Sequence, residues 1–221
     1  MKTELEKQIE IFYKSDKKLE DRMKELAKVF LYGGYLNVRN QYHIYIRTLE
    51  FYYHEEEGLV KDLIMYHRNN NKVAGKIPYF NTLSLNSHDT GVDITFENEQ
   101  KKIRASILIR AYEVLDVKSN NRLVWDKDEQ QFRVCTEMDK PRYNTQSMYV
   151  KKFLSGFATK GTIDIYWVDL PYKEEFKDSD ILPMKRQGVY ISEDKEKYIP
   201  NKKIKDEKFW GFRREKEISL E

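Results

Sequence analysis

Apolar residues recur every three or four positions near the start of the chain, where Leu19, Met23, Leu26, Ala27 and Phe30 fall on one stripe. The first thirty residues are therefore predicted to be helical, with Ser15 or Asp16 placed as an N-cap and Gly33 and Gly34 ending the run. The period then changes to two. "YLNV" and "YHIYIRTLEFYY" read as strands of a hairpin closed across "RNQ". "GLVKDLIMYHRNNN" returns to helical spacing, with Leu59, Leu63 and His67 four apart and the asparagine run as its stop. "GVDITF" and "KIRASILIRAYEVLDV" are strands joined by the polar turn "ENEQK", and "RLVWD" and "QFRVCTEM" form another hairpin across "KDEQ". "TQSMYVKKFLSGF" reads as a helix between Thr145 and Gly156, followed by the short strands "IDIYWVDL" and "QGVYIS" before "KFWGFRRE". Helices and strands mix without regular βαβ alternation, which predicts an α+β fold with a largely antiparallel sheet.

Two charges interrupt the strand pattern. On strict alternation Ile46, Thr48, Glu50 and Tyr52 share one face, and Tyr45, Arg47, Leu49 and Phe51 the other. Glu50 thus lies between an isoleucine and a tyrosine. Three explanations stand open: a solvent-facing sheet edge, a salt bridge in the core, or a pocket whose chemistry or recognition needs a charge. Arg110 poses the same question on a face shared with Ser106, Leu108 and Tyr112.

Composition narrows the rest. A chain of 221 residues can bury one sizeable core, and no repeat or Pro/Gly/Ser-rich linker divides it, so one domain is expected. Forty Lys and Arg against thirty-seven Asp and Glu leave a formal charge of +3, which neither demands nor excludes a nucleic-acid partner. The single cysteine, Cys135, cannot form an intrachain disulfide and is expected to be an inert buried thiol. With no apolar run of signal-peptide or membrane-helix character, a cytoplasmic protein without a membrane partner is expected. Phosphate-loop, dinucleotide-binding and nucleophile-elbow motifs are absent. His43, His54, His67 and His88 do not stand at zinc-ligand spacing, so no metal is expected. "HEEEG" reads as a solvated turn.

Several segments, taken in order, resemble the alkyladenine (3-methyladenine, or methylpurine) DNA glycosylase family. "LAKVFLYGGYLNV" looks like that family's opening helix and first strand, and "IRTLEFYY" like its "IVETEAY" strand. "ASILIRAYEVLD" resembles "AVLIRAxEPLEG", down to the shared Leu-Ile-Arg-Ala core and the following Glu113. "KRQGVY" and "KFWGFRRE" resemble the later "RxGI" and "PWRF" strands. The resemblance implies a curved, largely antiparallel sheet with surrounding helices. It also implies excision of damaged purines from DNA by base flipping, with Glu50 matching the glutamate that deprotonates the attacking water. Tyr52 matches the tyrosine that stacks on the flipped base, and Arg110 the arginine near the water and sugar-phosphate. Asp93 stands where a lesion-screening asparagine would, and His67 matches the opposing pocket histidine if a short insertion is allowed. The segment "LSLNSHDTGVDITF" departs from the family, with Leu83 at the pocket-tyrosine position and the wedge tyrosine lost.

Two functions are expected on these grounds. The first is a divergent monofunctional DNA glycosylase that acts on alkylated or deaminated purines and needs no cofactor. Loops such as "HRNNNKVAGK", "EQKKIR" and "MYVKK" would meet the phosphates of damaged DNA. The second is a non-catalytic module on the same scaffold, binding a nucleic acid, a nucleobase-like small molecule or another protein.

Overall fold

The computed structural model describes residues 1–62, 64–65, 78–88, 91–126, 128–129, 131–139, 165–170, 177–187, 190–192 and 203–216. The chain forms one α+β domain in which a curled antiparallel sheet packs against two helices. No described helix is long and apolar enough to cross a membrane.

The opening helical stretch is two helices. α1 (Glu4–Lys14) is closed by a capping box, in which the Glu6 N–H donates to Thr3 Oγ1 at 3.1 Å and the Thr3 N–H to Glu6 Oε2 at 2.7 Å. α2 (Leu19–Tyr32) begins after Lys18 without a side-chain cap, and Ser15 is the C-cap of α1 rather than the N-cap of α2. The Ser15 hydroxyl instead accepts the Lys17 N–H within the connecting turn. The predicted stripe holds: Met23, Leu26, Ala27 and Phe30 are buried and Leu19 packs at their margin. Gly34 then allows a close crossing, since a Cβ there would lie 2.3 Å from the Val168 carbonyl oxygen and 2.6 Å from the Trp167 ring.

β1 (Gly34–Val38) and β2 (Tyr42–Glu55) form the predicted hairpin, with Arg39 and Asn40 at positive φ in its loop. β2 pairs along its length with β5 (Ile103–Asp116), and β3 (Ser84–His88) and β4 (Gly91–Thr95) extend the sheet beyond β5. β6 (Asn121–Asp126) and β7 (Gln131–Val134) are the predicted hairpin across "KDEQ". β8 (Ile165–Asp169) pairs with β1, so the main path runs β3-β4-β5-β2-β1-β8. β9 (Ile181–Met184) reaches β2 through β12 (Gly211–Arg214), while β10 (Tyr190–Ser192) and β11 (Lys203–Lys205) form a separate pair. The helix expected in "TQSMYVKKFLSGF" lies outside the described residues.

The β2–β5 ribbon corrects the predicted faces. Its ladder pairs Ile46 with Tyr112, Thr48 with Ala111 and Leu49 with Ile109, leaving Arg47 and Arg110 as extra residues in their strands. Each such bulge reverses the alternation beyond it. Ile44 and Ile46 therefore enter the helix-covered core together with Leu49, Phe51 and Tyr53, and on β5 Ile107 and Ile109 enter it with Tyr112 and Val114. Glu50 and Tyr52 do share a face, but Ile46 is not on it, nor does Tyr112 share one with Ser106 and Leu108. Unbroken alternation would have placed Glu50 with Ile44 and Ile46 in the apolar layer.

Two further expectations change. "GLVKDLIMYHRNNN" is not helical where it is described: Gly58 and Leu59 lie in bends, Leu59 is 98% exposed, and Asp62 donates its N–H to His54 Nδ1. Apolar spacing there loses to the local capture of the chain by His54 and a turn from Asp62 to Met65. Cys135 lies just past the end of β7 and is half-buried rather than buried.

Candidate functional site

The face of the sheet turned away from the helices is polar. One row of opposed residues crosses four strands as Glu50, Leu108, Asp93 and Asn86, with Gly211 of β12 on the other side of Glu50. A Cβ on Gly211 would lie 2.9 Å from the Met184 carbonyl oxygen, so only glycine lets β9 come this close. The next row reads Tyr52, Ser106, Thr95 and Ser84. Residues directly opposed in a ladder point to the same side, so Glu50, Tyr52, Asp93 and Ser106 belong to one surface.

Glu50 has no exposed surface. Its Oε2 accepts from Arg110 Nη2 at 2.6 Å and, at a long 3.4 Å, from the Tyr52 hydroxyl, while Oε1 accepts the main-chain N–H of Gln187 at 2.6 Å. Arg110 Nη2 also donates to the Gln187 carbonyl at 2.9 Å. The acid and the base thus hold the N–H and C=O of one residue between them. Arg110 Nε is buried and makes no hydrogen bond among the described residues. Of the explanations open for Glu50, the structure selects the buried ion pair, at the floor of a polar face. Burial draws the Arg110 pKa down, but the Glu50 carboxylate more than offsets this and leaves it raised.

Tyr52 is half-buried, and its phenol is pushed up by burial and then by the neighbouring Glu50 charge. The Arg186 guanidinium lies 4.8 Å from its ring centre and 5.1 Å from that of Trp210. Asp93 is 3% exposed and accepts from the Ser106 hydroxyl at 3.3 Å. Leu108 separates it from Glu50, which puts the two backbones about 10 Å apart across the sheet. Glu50, Tyr52 and Arg110 are therefore in contact, Asp93 shares their surface, and His67 lies outside the described residues. Leu83, matched to a pocket tyrosine, instead packs against the apolar core on the helix side.

Charge is buried around this face in ways that the spacing of residues did not reveal. Arg186 Nε donates to Asp206 at 2.7 Å and Nη1 to Asp62 at 2.6 Å, all three residues being almost fully buried. Arg104 joins Glu56 and Glu97, each at 2.9 Å, and stacks 3.7 Å from the Tyr79 ring centre. Glu113 receives Arg47 at 3.1 Å, Arg122 at 2.9 Å and also Arg214. "HEEEG" is thus only partly a solvated turn, since Glu56 serves Arg104 and Glu55 accepts the Val60 N–H. The "EQKKIR" cations are engaged internally: Lys101 donates to the Tyr13 carbonyl and Lys102 lies over Tyr79. The only sequence signal for Arg186 was its place in "KRQGVY". Asp62 and Asp206 carried none, because their partner is 124 and 20 residues away.

Among the described residues no group of three or more His, Cys, Asp and Glu is placed to hold a metal ion. Comparison with protein-family models, curated proteins and solved structures returns no match, so the glycosylase resemblance rests on the sequence motifs.

Proposed function

We propose that the chain is a nucleobase-recognition module on a glycosylase-like scaffold, in which Glu50 and Arg110 form a binding clamp and Glu50 does not serve as a general base. The observation that carries this reading is the burial of Glu50 with both of its carboxylate oxygens already engaged. A general base must hold a lone pair within hydrogen-bond reach of the water it deprotonates. Glu50 is fully buried and receives Arg110, the Gln187 N–H and the Tyr52 hydroxyl.

Once Gln187 withdraws, the clamp offers an acceptor beside a donor, which complements an N–H next to a C=O. Gln187 presents that pattern now. A deaminated purine such as hypoxanthine presents it on its lactam edge, whereas adenine does not. Tyr52 would supply the flat surface for stacking, worth roughly 1–3 kcal/mol per base.

Fluorescence anisotropy with oligonucleotides carrying one hypoxanthine or one adenine tests the reading. Binding is expected to favour hypoxanthine roughly tenfold, to weaken in Glu50→Gln and Arg110→Met, and to leave no abasic sites. A second reading, hydrolysis of the N-glycosidic bond, is favoured by the shared surface of Glu50, Tyr52, Arg110 and Asp93, once Gln187 withdraws. In that case the wild type releases base from duplexes containing 3-methyladenine, hypoxanthine or ethenoadenine and Glu50→Gln does not. Silence in both assays would discard both readings.

A further inference from the structure

The sheet curls far enough to bring residues of its two end strands to one cavity. β3 begins the strand order and β8 closes it, yet residues of both line one cavity of about 200 Å³. Leu36, Leu83, Leu85, Ile94, Ile165 and Trp167 supply its apolar wall. Thr3 and Glu6, the capping pair of α1, complete it with the half-exposed Tyr166. Leu85, Ile94 and Ile107 are opposed across the sheet on its helix-covered side. The cavity therefore lies on the opposite face from Glu50 and is independent of the function proposed above.

A second observation points to the same place. Leu83 has φ 61°, in the left-handed region that a branched side chain rarely adopts. Its N–H is held by the Thr95 carbonyl at 2.7 Å, and the turn from Asn81 to Ser84 fixes the conformation. Glycine meets that backbone demand without strain. A leucine placed there contributes its side chain, and that side chain lines the cavity.

We infer that this seam binds a small single-ring apolar molecule with a neutral or cationic polar end. Cavities of about 150 Å³ walled by aliphatic and aromatic side chains accept one benzene, so the volume of this one suits a single ring. Charge excludes an anion. The N-terminus of α1 would attract one, but the Glu4 N–H already donates to Asp169 at 2.8 Å and the Glu6 N–H to Thr3. Asp169 also accepts the Trp167 indole N–H at 3.0 Å, which fixes the orientation of that wall. The Glu6 carboxylate then leaves the lining acidic.

Methyl-resolved NMR of the full chain, titrated separately with benzylamine, benzyl alcohol and benzoate, tests the inference. Saturable shifts at millimolar concentration are expected for Leu36, Leu85 and Ile94 with the first two ligands, and benzoate should bind at least tenfold more weakly. Leu83→Gly should lower benzylamine affinity by a similar factor while its melting temperature stays level or rises. The inference is overturned if these methyls show no saturable shift, if benzoate binds as well as benzylamine, or if folded Leu83→Gly binds unchanged. The wild-type titration stands alone should that variant not fold.

Discussion

Arg47 and Arg110 are the two residues that the long β2–β5 ladder leaves unopposed, one in each strand and one residue apart in register. Each bulge shifts the alternation by one, so the two strands change faces together and regain their pairing beyond the defect. Arg110 is thereby delivered to the face that carries Glu50, and Arg47 to Glu113.

Removing one member of the central pair strands a buried charge. Glu50→Ala is expected to cost about 3–5 kcal/mol, read from urea unfolding, with Arg110→Met less costly because Arg110 remains partly exposed. Combining Glu50→Leu with Arg110→Met should recover most of the loss, since volume and polarity are then matched. A double variant no more stable than Glu50→Ala would show that the clamp contributes through Gln187 rather than through the pair.

Arg186 is expected to tolerate no neutral substitute. Arg186→Met leaves Asp62 and Asp206 facing each other without their shared cation and removes the guanidinium from between Tyr52 and Trp210. Loss of about 3–5 kcal/mol is expected, together with a changed near-ultraviolet dichroism of the aromatic residues. Arg186→Lys should restore only part of it, because an ammonium cannot reproduce a planar multi-donor contact.

His43 provides a pH dependence. It stacks on Tyr35 with ring centres 4.0 Å apart, and burial pulls its pKa below the usual 6.5. Between the folded value and about 6.5 the unfolded chain binds more protons, so stability falls as pH drops through that window and is level above it. Denaturation midpoints measured on either side of pH 6.5 should show this slope, and His43→Phe should flatten it. A titration shift of the His43 ring above 6.5 would contradict the assignment.

At Gly34 no side chain can be accommodated without moving β8. Gly34→Ala is expected to destabilise the domain by roughly 1–3 kcal/mol and to raise amide exchange in β1 and β8 before the β2–β5 core. Unchanged exchange at Trp167 and Val168 would mean that the strands do not approach as closely as the geometry gives.

The strands were legible because they are long and rich in β-branched and aromatic residues. β2, β5 and the β6–β7 hairpin emerge from alternation and turn residues alone. The bulges did not, because nothing in residue type marks an extra residue in a strand, and Arg47 and Arg110 each read as one more step of an unbroken period. The same blindness misplaced Ile46 and Tyr112. Glu50, Tyr52, Arg110 and Asp93 were found through motifs, and the structure places them on one surface. The Asp62–Arg186–Asp206 network was not, since nothing local marks an ion pair that joins distant segments, and Asp62 stood in a segment read as helix.

The hold of Glu50 and Arg110 on Gln187 has a consequence for whatever addresses that surface. A main-chain group tethered to the same fold competes as though present at roughly millimolar concentration, so a newcomer must displace an internal rival before gaining anything. Under the recognition proposed above, a weak ligand offering only the matching edge would be turned away, and one admitted would need further grip elsewhere, on the Tyr52 ring or beside Asp93. A piece of the chain itself would then act as the screen.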